Sequence, residues 1–578
     1  MISNAKMKMR DREFALIAGL LAISAVLMYV FPSFAVENSA GQIDWITLPL
    51  VAFPLIAGTV LMAFASMQPY RLKDRIGQPI KLISLAFSLM MLGISSGLLF
   101  GWLESINWDL SQYNRYELEF EYAWMQSIGV SWHVGLDGLS FSMVWLTTVL
   151  IPIVMITTWE EKIGWYHHPL ILMMGGALIG VFVALDFFMF FVFWEMTLIP
   201  MFFLILKWGG EDRRYAAQKF FIYTFTGSVV MLLGIITLYF LQPFSQALVD
   251  QGVLTGRTFD MTQMAIGAQA AANADIAWLG INMQKALFLT FLLGFLVKLP
   301  AVPFHTWLPD AHVQAPTAGS MLLAGVMLKM GGYGLFRVCA TLFPEALLEY
   351  QWLLLTIGMV SLVYGSFVCL GQSNLKRLVA FSSVSHMGII LLGIATMEPL
   401  GFAGAIFMMF AHGIISPLLF AVAGAFKHHY HTLEIGSMRG MAKHSPWLAT
   451  FMMFGWMASL GLPLLAGFVA EITVLIAFWK AFGWWVILPG ITLIVTAAYY
   501  IWSMQKTIFE GGDDGEMPES LGGEPAPDIS MWEVSGMMLL AMLTVLFGVL
   551  PWIFFDMMTG YAFGLFDGIL LNVITGGA

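Results

Sequence analysis

Six ionisable side chains lie inside long apolar segments, where each is costly unless it has a function or a partner. They are Glu195, Lys298, Lys329, His386, His412 and Glu471. A lysine or an aspartate near the centre of a membrane-spanning helix costs about 2.5–3.5 kcal/mol on insertion scales. Ionisable groups at membrane depth typically belong to an ion or proton path. The set therefore predicts a relay that carries protons.

The order of residue types suits stepwise proton transfer. A carboxylate such as Glu195 beside an amine such as Lys298 keeps the amine charged, and separating the pair favours release of the amine's proton to the next site. Histidine suits the intermediate positions because free imidazole titrates near neutral pH. Taken singly, each Glu or Lys has a structural alternative, an ion pair that fixes helix register. His386 or His412 alone is more often a hydrogen-bonded packing residue.

Two prolines follow Lys298 within five residues, and His305 comes next. Prolines remove backbone donors and break a helix, and a broken helix at membrane depth requires surrounding protein or a water-filled cavity. His305 is thus a further candidate relay residue, and its alternative role is to satisfy a carbonyl that the break frees. Asp310 and His312, at the expected inner mouth, either feed protons inward or cap the helix end.

The composition places these residues in a polytopic membrane protein. The 578 residues are 59% hydrophobic and 11% charged, with a mean hydropathy of +0.82, which excludes an ordinary soluble protein. Most of the apolar segments approach the roughly 20 residues that cross a bilayer. The predicted segments are 14–31, 46–67, 80–103, 138–158, 169–185, 187–206, 217–241, 286–308, 317–341, 351–371, 376–396, 400–427, 446–478, 484–505 and 531–555.

Two of these segments are irregular. Segment 286–308 contains the prolines after Lys298, and segment 446–478 contains Gly461, Pro463 and Gly467 ahead of Glu471. Interrupted segments in both halves of a chain indicate an internal repeat with the ion site at the breaks.

The distribution of positive charge predicts the orientation. With the N-terminus inside, 19 of the 26 Lys and Arg residues fall on the inner side, five on the outer side and two within segments. An excess of this size supports an N-inside, C-outside topology. For residues 1–45 we expect an uncleaved extra helix, and the alternative is a cleaved signal peptide.

The connections are less informative. The outer loops 104–137 and 242–284 are expected to pack over the outer surface or on a neighbour. The inner loop 508–530 is rich in Gly, Pro and acidic residues, which predicts a flexible linker, and its alternative is a docking site for a partner.

Cofactor and nucleotide chemistry is not expected on this chain. Cys339 and Cys369 cannot by themselves hold an iron–sulfur cluster or a structural zinc, and the sequence has no dinucleotide fingerprint or P-loop. The run from His428 to His431 resembles a metal site. Because the run falls in an expected inner loop without an adjoining acidic or cysteine ligand, we expect a solvated surface instead.

Four stretches resemble a known family. Phe-Trp-Glu-Met-Thr-Leu-Ile-Pro occupies 193–200, and further matching stretches occupy 217–223, 297–320 and 375–388. Across about 45–555 the chain resembles the antiporter-like membrane subunits of respiratory complex I, which are similar to subunits of Mrp-type cation/proton antiporters. Glu471 matches the chain M (chain 4) class, because the other antiporter-like subunits usually have lysine there.

The resemblance implies fourteen transmembrane helices in two inverted five-helix repeats, with 14–31 as an extra helix. It implies Glu195 and Lys298 as a modulating pair, Lys329, His386 and His412 as the central relay, and Glu471 as the exit-side site. It further implies that quinone reduction in partner subunits drives proton translocation, so that the chain is a subunit of a proton-pumping NADH:quinone oxidoreductase. The implied partners are other complex I membrane subunits, including neighbouring antiporter-like subunits, with lipid and protons but no nucleic acid.

The expected fold is an all-α polytopic membrane protein of about 14–15 transmembrane helices with two broken helices, in a bacterial inner membrane rather than a thylakoid-type membrane. The alternative functions are a stand-alone or Mrp-type cation/proton antiporter and a structural scaffold with fossil charges. The predicted organisation is a segment 1–45 (extra helix or signal-like), N-terminal helices 46–158, a first repeat 169–341, a second repeat 351–507, an inner linker 508–530, and a C-terminal transmembrane helix with its tail, 531–578.

Overall fold

Apolar helices dominate the computed structural model, which describes residues 48–67, 70–104, 115–161, 164–241, 257–265, 268, 277–278, 281–437, 439–509 and 528–575. Within these residues, 12 helical stretches are long and apolar enough to cross a membrane, and His167–Val183 is a shorter apolar helix. The polytopic helical fold is therefore confirmed. The segment 14–31 and most of the linker 508–530 lie outside the described residues.

The helices follow the predicted apolar segments closely. The first group is α1 (Phe53–Met67), α2 (Tyr70–Glu104), α3 (Gly138–Thr157), α4 (His167–Val183), α5 (Phe187–Met196), α6 (Leu198–Trp208) and α7 (Arg213–Leu241). The second group is α8 (Met283–Lys298), α9 (Trp307–Gln314), α10 (Thr317–Leu322), α11 (Leu328–Gly334), α12 (Pro344–Glu349), α13 (Gln351–Leu370), α14 (Leu375–Ala395) and α15 (Pro399–Tyr430). The last group is α16 (Met441–His444), α17 (Pro446–Ser459), α18 (Ala466–Phe482), α19 (Ile487–Met504), α20 (Met531–Val549) and α21 (Trp552–Thr575).

Both irregular segments are broken helices, as predicted. α8 ends at Lys298 and the helix resumes as α9 after the two prolines. α17 ends at Ser459 and α18 begins at Ala466, with Gly461 at φ 80° in the gap. Glycine reaches this left-handed conformation without the steric penalty of a Cβ. Each break thus lies close in sequence to an ionisable side chain, Lys298 in one case and Glu471 in the other.

Three helical stretches form the enclosed centre of the molecule. The most apolar part is fully buried in each of three stretches, Thr317–Ala340, Leu375–Ala395 and Pro399–Tyr430. In Pro49–Met67 and Gln351–Leu370, more than half of the residues in that part are not buried. Because the enclosed stretches face protein rather than lipid, they are where polar side chains cost least. They carry three of the predicted relay residues, as the next subsection describes.

An outer β-hairpin covers the start of α3, where the sequence predicted a loop. β1 (Glu117–Met125) pairs antiparallel with β2 (Val130–Leu136). Asp137 directly after β2 caps α3, because its carboxylate accepts from the amide of Ser140 while the Ser140 hydroxyl accepts from the amide of Asp137. A second, two-residue hairpin joins β3 (Ala277–Trp278) to β4 (Ile281–Asn282).

Two buried carboxylates attach the outer hairpin to the helices. Asp186 accepts from the backbone amide of Ser131 on β2 at 3.0 Å and also from the amide of Phe188 at 2.8 Å, so it caps α5 as well. Asp260 lies 2.5 Å from Nδ1 of His133 on β2. Burial alone lowers the pKa of His133, but its hydrogen bonds with Asp260 and Glu119 outweigh burial and raise that pKa to about 10.

The C-terminal region differs from the single predicted segment 531–555. Two helices, α20 and α21, occupy 531–575, with Pro551 between them. The predicted segment ended at 555, shortly before Asp556 and Asp567 in the sequence. α21 packs against α15 and α3, and the ring centres of Phe554 and Phe410 lie 4.7 Å apart. The tail predicted after the last helix is therefore itself helical.

Arg337 is buried rather than part of an outer connection. Its guanidinium lies 2.7 Å from the Asp137 carboxylate, and its Nε donates to the Tyr333 hydroxyl at 3.0 Å. The pair joins the end of the 317–340 stretch to the start of α3. Arg337 and Asp137 therefore form a structural ion pair, which is the alternative role that the sequence analysis gave for buried charges.

Candidate functional site

Lys329 is the centre of the site and is fully buried. It lies in α11 between two π-helical stretches, Leu323–Met327 and Leu335–Ala340. A π-helical stretch disturbs the regular backbone hydrogen bonding of an α-helix and is frequent at functional sites. Here the ammonium donates to the carbonyl of Ala324, five residues earlier. The wider turn therefore provides a backbone acceptor for a buried amine.

His412, on α15, is the second partner of Lys329. Its Nδ1 lies 2.7 Å from Nζ of Lys329. A charged lysine donates to an unprotonated Nδ1, and a neutral amine accepts from a protonated Nδ1, so one proton is held between the two groups in either state. This contact is the shortest path for a proton from an amine to an imidazole in the described part of the chain.

His386, on α14, continues the path. Its ring centroid lies 5.4 Å from that of His412, and its Nε2 lies 3.2 Å from the carbonyl of Ser459 at the end of α17. The same Nε2 lies 3.7 Å from Oε1 of Glu471 on α18. The structure thus brings Lys329, His412, His386 and Glu471 together, and we call these four residues the central cluster.

The break between α17 and α18 makes room for the end of this cluster. Gly461 in the gap lies against the Glu471 carboxylate, and a Cβ at that position would collide with Oε2. The carbonyl of Ser459 is left free by the end of α17 and faces His386. The break therefore supplies both a backbone acceptor and space for a carboxylate.

Glu195 and Lys298 lie in a separate group that is built around Trp194. The Lys298 ammonium is 5.4 Å from the centre of the Trp194 ring, and the indole N–H donates to the Ser228 hydroxyl at 3.0 Å. Among the described residues, Nζ of Lys298 and Oε1 of Glu195 are buried without a hydrogen-bond partner. The sequence paired them directly, but the described contacts do not include an ion pair between the two.

Lys298 and Lys329 lie on helices in close backbone contact. A Cβ at Gly331 on α11 would lie 2.6 Å from the amide nitrogen of Leu299, the residue after Lys298. Glycine at this position therefore lets the two helices approach each other closely. No polar contact joins the two amines within the described residues.

His305 is not part of the central cluster. Its ring lies edge-on to those of Tyr364 at 5.1 Å and Phe381 at 6.2 Å, and its Nδ1 is buried without a hydrogen-bond partner in the described chain. It occupies the gap between α8 and α9, as its sequence position requires.

The inner side adds residues that the sequence interpretation placed elsewhere. Lys376 was counted as a basic residue of an inner connection, but it is 1% exposed, and it donates to the carbonyl of Ala315 at 2.7 Å. Ser320 lies 3.5 Å from the Lys376 ammonium and donates to the carbonyl of His312 at 3.1 Å. A lysine one residue into an apolar segment was the signal for this position.

His312 lies deeper than the inner mouth where the sequence placed it. It is fully buried, its ring stacks on Phe420 at 4.2 Å, and both of its nitrogens lack a partner among the described groups. It is close enough to Lys376 on one side and Lys329 on the other for electrostatic interaction. His312 therefore occupies the interval between the inner side and the central cluster.

A cavity of about 470 Å³ reaches Lys376 from the inner side, and Glu160, Glu161, Thr317, Lys427 and His428 contribute to its lining. Burial raises the pKa of the Glu161 carboxyl above its ordinary value, although a hydrogen bond with Thr317 and the charge of His428 oppose the rise. A carboxyl of this kind holds a proton at higher pH than a surface glutamate. The cavity therefore reaches the buried amine of Lys376 from the surface that the sequence assigns to the inner side.

The arrangement is suited to proton transfer and not to covalent catalysis. Its members are amines, imidazoles and carboxylates, which exchange protons with each other and with water. Within the described residues, the cluster makes hydrogen bonds with the backbone carbonyls of Ala324 and Ser459 and between Lys329 and His412.

The chain is similar to membrane subunits of redox complexes. Residues 184–496 match the transmembrane family described as NADH:quinone oxidoreductase/Mrp antiporter. The F(420)H(2) dehydrogenase subunit M of Methanosarcina mazei is 41% identical over 440 residues, which are 75% of this chain and 84% of that protein. The NADH-quinone oxidoreductase subunit M of Escherichia coli K12 is 34% identical over 519 residues, which are 87% and 94% of the two chains.

A solved structure has the same fold. A chain of respiratory complex I from Thermus thermophilus with bound NADH superposes with a TM-score of 0.74 at 26% identity, covering 89% of this chain and 99% of the other. The similarity therefore extends over nearly the whole molecule. The family match and the two relatives agree with the resemblance that the sequence motifs carry. The chain belongs to the NADH:quinone oxidoreductase/Mrp antiporter transmembrane family.

Proposed function

We propose that the chain is the proton-translocating membrane subunit of a complex I type NAD(P)H or ferredoxin:quinone oxidoreductase. The observation that carries the proposal is the central cluster, four buried titratable side chains on four packed elements. Each of them is costly at membrane depth, and their shared feature is the ability to hold and pass a proton. The enzyme activity is that of the whole complex, with electron transfer in other subunits.

Three features support a route from the inner side into the cluster. The cavity ends at Lys376, Ser320 bridges towards His312, and His312 lies within electrostatic range of Lys329. The chain of groups requires water between its members, which the polar lining of the cavity favours. From Lys329 the proton passes to His412 and His386, and Glu471 is the exit-side site.

The group around Trp194 acts as the control of this path. Lys298 lacks a hydrogen-bond partner among the described groups, and its helix is in backbone contact with the helix of Lys329. A movement that brings Glu195 and Lys298 together stabilises the charged amine, and separation destabilises it. While Lys298 is charged, its positive charge near Lys329 favours release of the proton that Lys329 shares with His412.

The proposal extends to partners and location. Neighbouring antiporter-like subunits and other membrane subunits of one complex are the proposed partners, and a bacterial inner membrane is the proposed location. The two five-helix repeats, at 169–341 and 351–507, are the proposed domains. Each repeat contains one broken helix, which supports the assignment.

Alanine substitution tests the control group. Lys298→Ala and Glu195→Ala are expected to abolish proton pumping and coupled quinone reduction, measured in vesicles that contain the purified complex. Lys285→Ala is the matched control, since Lys285 is at the other end of α8 and forms a half-exposed ion pair with Glu349. Full pumping by the Lys298 and Glu195 variants would contradict the proposal.

The alternative function is a cation/proton antiporter outside a redox complex, which the family name includes. Purification of the intact assembly separates the two. Co-purification with flavin or iron–sulfur subunits supports the oxidoreductase, whereas sodium–proton exchange by a preparation without such subunits supports the antiporter.

A further inference from the structure

Two histidines and a glutamate meet at the inner end of the helical core. His428 and His429 lie in the last turn of α15, and Glu533 lies in the first turn of α20. Nδ1 of His428 is 3.4 Å from Oε1 of Glu533, and Nε2 of His429 is 2.9 Å from Oε2. The sequence did not indicate this acidic partner, because Glu533 is 104 residues away from His429 along the chain.

The spacing of these atoms suits a single metal ion. One ligand atom from each of the three side chains can be chosen such that all lie within 4.8 Å of one another. Zinc binds histidine nitrogen and carboxylate oxygen at about 2.0–2.2 Å, so two ligands at a tetrahedral angle are roughly 3.3–3.5 Å apart. The two histidine–carboxylate separations, 3.4 Å to Oε1 and 2.9 Å to Oε2, are close to that value, so the two oxygens of Glu533 each face one imidazole.

The carboxylate is held in position by the backbone. The amide of Ser530 donates to Oε2 of Glu533 at 2.8 Å, and the Ser530 hydroxyl accepts from the amide of Glu533, which forms a capping box. Outer hydrogen bonds of this type orient ligands and raise metal affinity. Trp532, which precedes Glu533 in the sequence, stacks on Trp159 with ring centres 5.3 Å apart, so the start of α20 is packed against the residues that follow α3.

The cluster is reachable from the inner solution. The His428 side chain is 48% exposed, whereas the side chains of His429 and Glu533 are 11% and 10% exposed. His428 also lines the inner cavity together with Glu160, whose charge favours a cation, and with Lys376 and Lys427, which oppose it. Water from the cavity can fill the fourth position of a tetrahedral site.

We propose that His428, His429 and Glu533 bind a divalent transition metal ion of the zinc type, which joins the inner end of α15 to the start of α20. Two imidazoles and one carboxylate are a donor set that suits Zn²⁺, and three protein ligands leave one position open. The site lies outside the central cluster and does not depend on the proposed proton translocation. The bound ion would cross-link two helices that are far apart in the sequence.

Zinc binding by the intact complex tests the site. The purified complex is treated with a chelator, exchanged into chelator-free buffer and titrated with Zn²⁺ alone, for the wild type and for His429→Gln and Glu533→Gln. Glutamine at 533 retains the capping box, so this variant is expected to fold. We expect the wild-type chain to bind one zinc ion at this site. The affinity for that ion is expected to be at least about tenfold lower in both variants.

His431→Asn is the matched control. His431 is exposed and lies just after α15 at φ 56°. Asparagine accepts this left-handed conformation, and the replacement is expected to leave zinc binding unchanged. X-ray absorption of the zinc-loaded wild type is expected to show nitrogen and oxygen ligands only. Equal zinc stoichiometry and affinity in the wild type, His429→Gln and Glu533→Gln would overturn the proposal.

Discussion

At the scale of single residues, burial separates charges that are adjacent in the sequence. Lys376 and Arg377 follow each other at the start of α14, yet Lys376 is buried and Arg377 is exposed. Within the described residues, no carboxylate is in direct contact with the ammonium of Lys376. The ammonium donates a hydrogen bond to the carbonyl of Ala315 instead. Its position between the inner cavity and His312 supports the proposed proton route, which does not include Arg377.

Substitution of these two residues gives a matched comparison. Lys376→Met is expected to slow proton pumping at least about tenfold, because it removes a proton-exchanging group, while Arg377→Met leaves the rate close to that of the wild type. Dye-monitored acidification of vesicles containing the purified complex measures both. Equal rates for the two variants would exclude Lys376 from the route.

The sequence identified the buried ionisable residues better than it predicted their contacts. Lys329, His386, His412 and Glu471 were recognisable because an ionisable group in an apolar run has few explanations. That these four side chains lie together could be expected only from the family resemblance, because the sequence pattern of one helix does not show which helices it packs against. The sequence did not identify Lys376 as buried, because a lysine near a helix end resembles a loop residue. It did not identify Glu533 as a partner of the histidines, because these residues are distant in the chain.

At the scale of elements, the interruptions of helices create the site. The π-helical stretches beside Lys329 and the gap between α17 and α18 expose backbone carbonyls to buried side chains. Prolines and glycines in the sequence predicted the two breaks. The π-helical stretches were not predicted, because their residues are ordinary helix formers and small residues whose packing decides the local winding. The outer hairpin was also missed, although 117–122 alternates glutamate with Leu, Phe and Tyr, which is a strand pattern.

The gap after α17 gives a prediction for a glycine. Gly461 has φ 80°, and a Cβ there would displace the Glu471 carboxylate. Because alanine is strained in this left-handed conformation, Gly461→Ala is expected to destabilise the protein by more than about 1 kcal/mol. Gly490→Ala, in α19 with open space around it, is the control and is expected to be neutral or to stabilise by up to about 1 kcal/mol.

Thermal unfolding of the purified protein, with pumping measured in parallel, checks this prediction. Unfolding temperatures that are the same for Gly461→Ala and the wild type would show that the left-handed turn is not required.

At the scale of the whole molecule, distant segments are joined on the outer side by the outer hairpin. His133 on β2 pairs with Asp260, 127 residues later, and Asp186 joins the same strand to α5. Both side chains of the first pair are almost completely buried. The pair therefore binds the hairpin to the segment 257–265 and through it to the helices.

The stability of this attachment is expected to depend on pH. The pKa of His133 is raised from 6.5 to about 10 in the folded protein. A group whose pKa is raised by folding contributes stability that is fully present below its unfolded value and is lost as the pH rises through its folded value. The hairpin is therefore expected to loosen as the pH increases from about 6.5 to 10.

Hydrogen exchange of the hairpin amides, corrected for the intrinsic effect of pH, measures this loosening, with the amides of α3 as an internal reference. The His133→Gln variant is expected to show low protection already at pH 7 and little further change. Protection of the wild-type hairpin that is equal at pH 7 and pH 10 would contradict the assignment.

Asp186 has a consequence that goes beyond anchoring. One carboxylate holds a strand of the outer surface and the first turn of the helix that carries Glu195. That helix has 10 residues, so it is short and, like any α-helix held by its own backbone hydrogen bonds, stiff along its axis. A force on the outer face therefore reaches Glu195 through this stiff helix. Mutations far from any titratable group can alter the timing of proton transfer when they change how tightly Asp186 holds the helix.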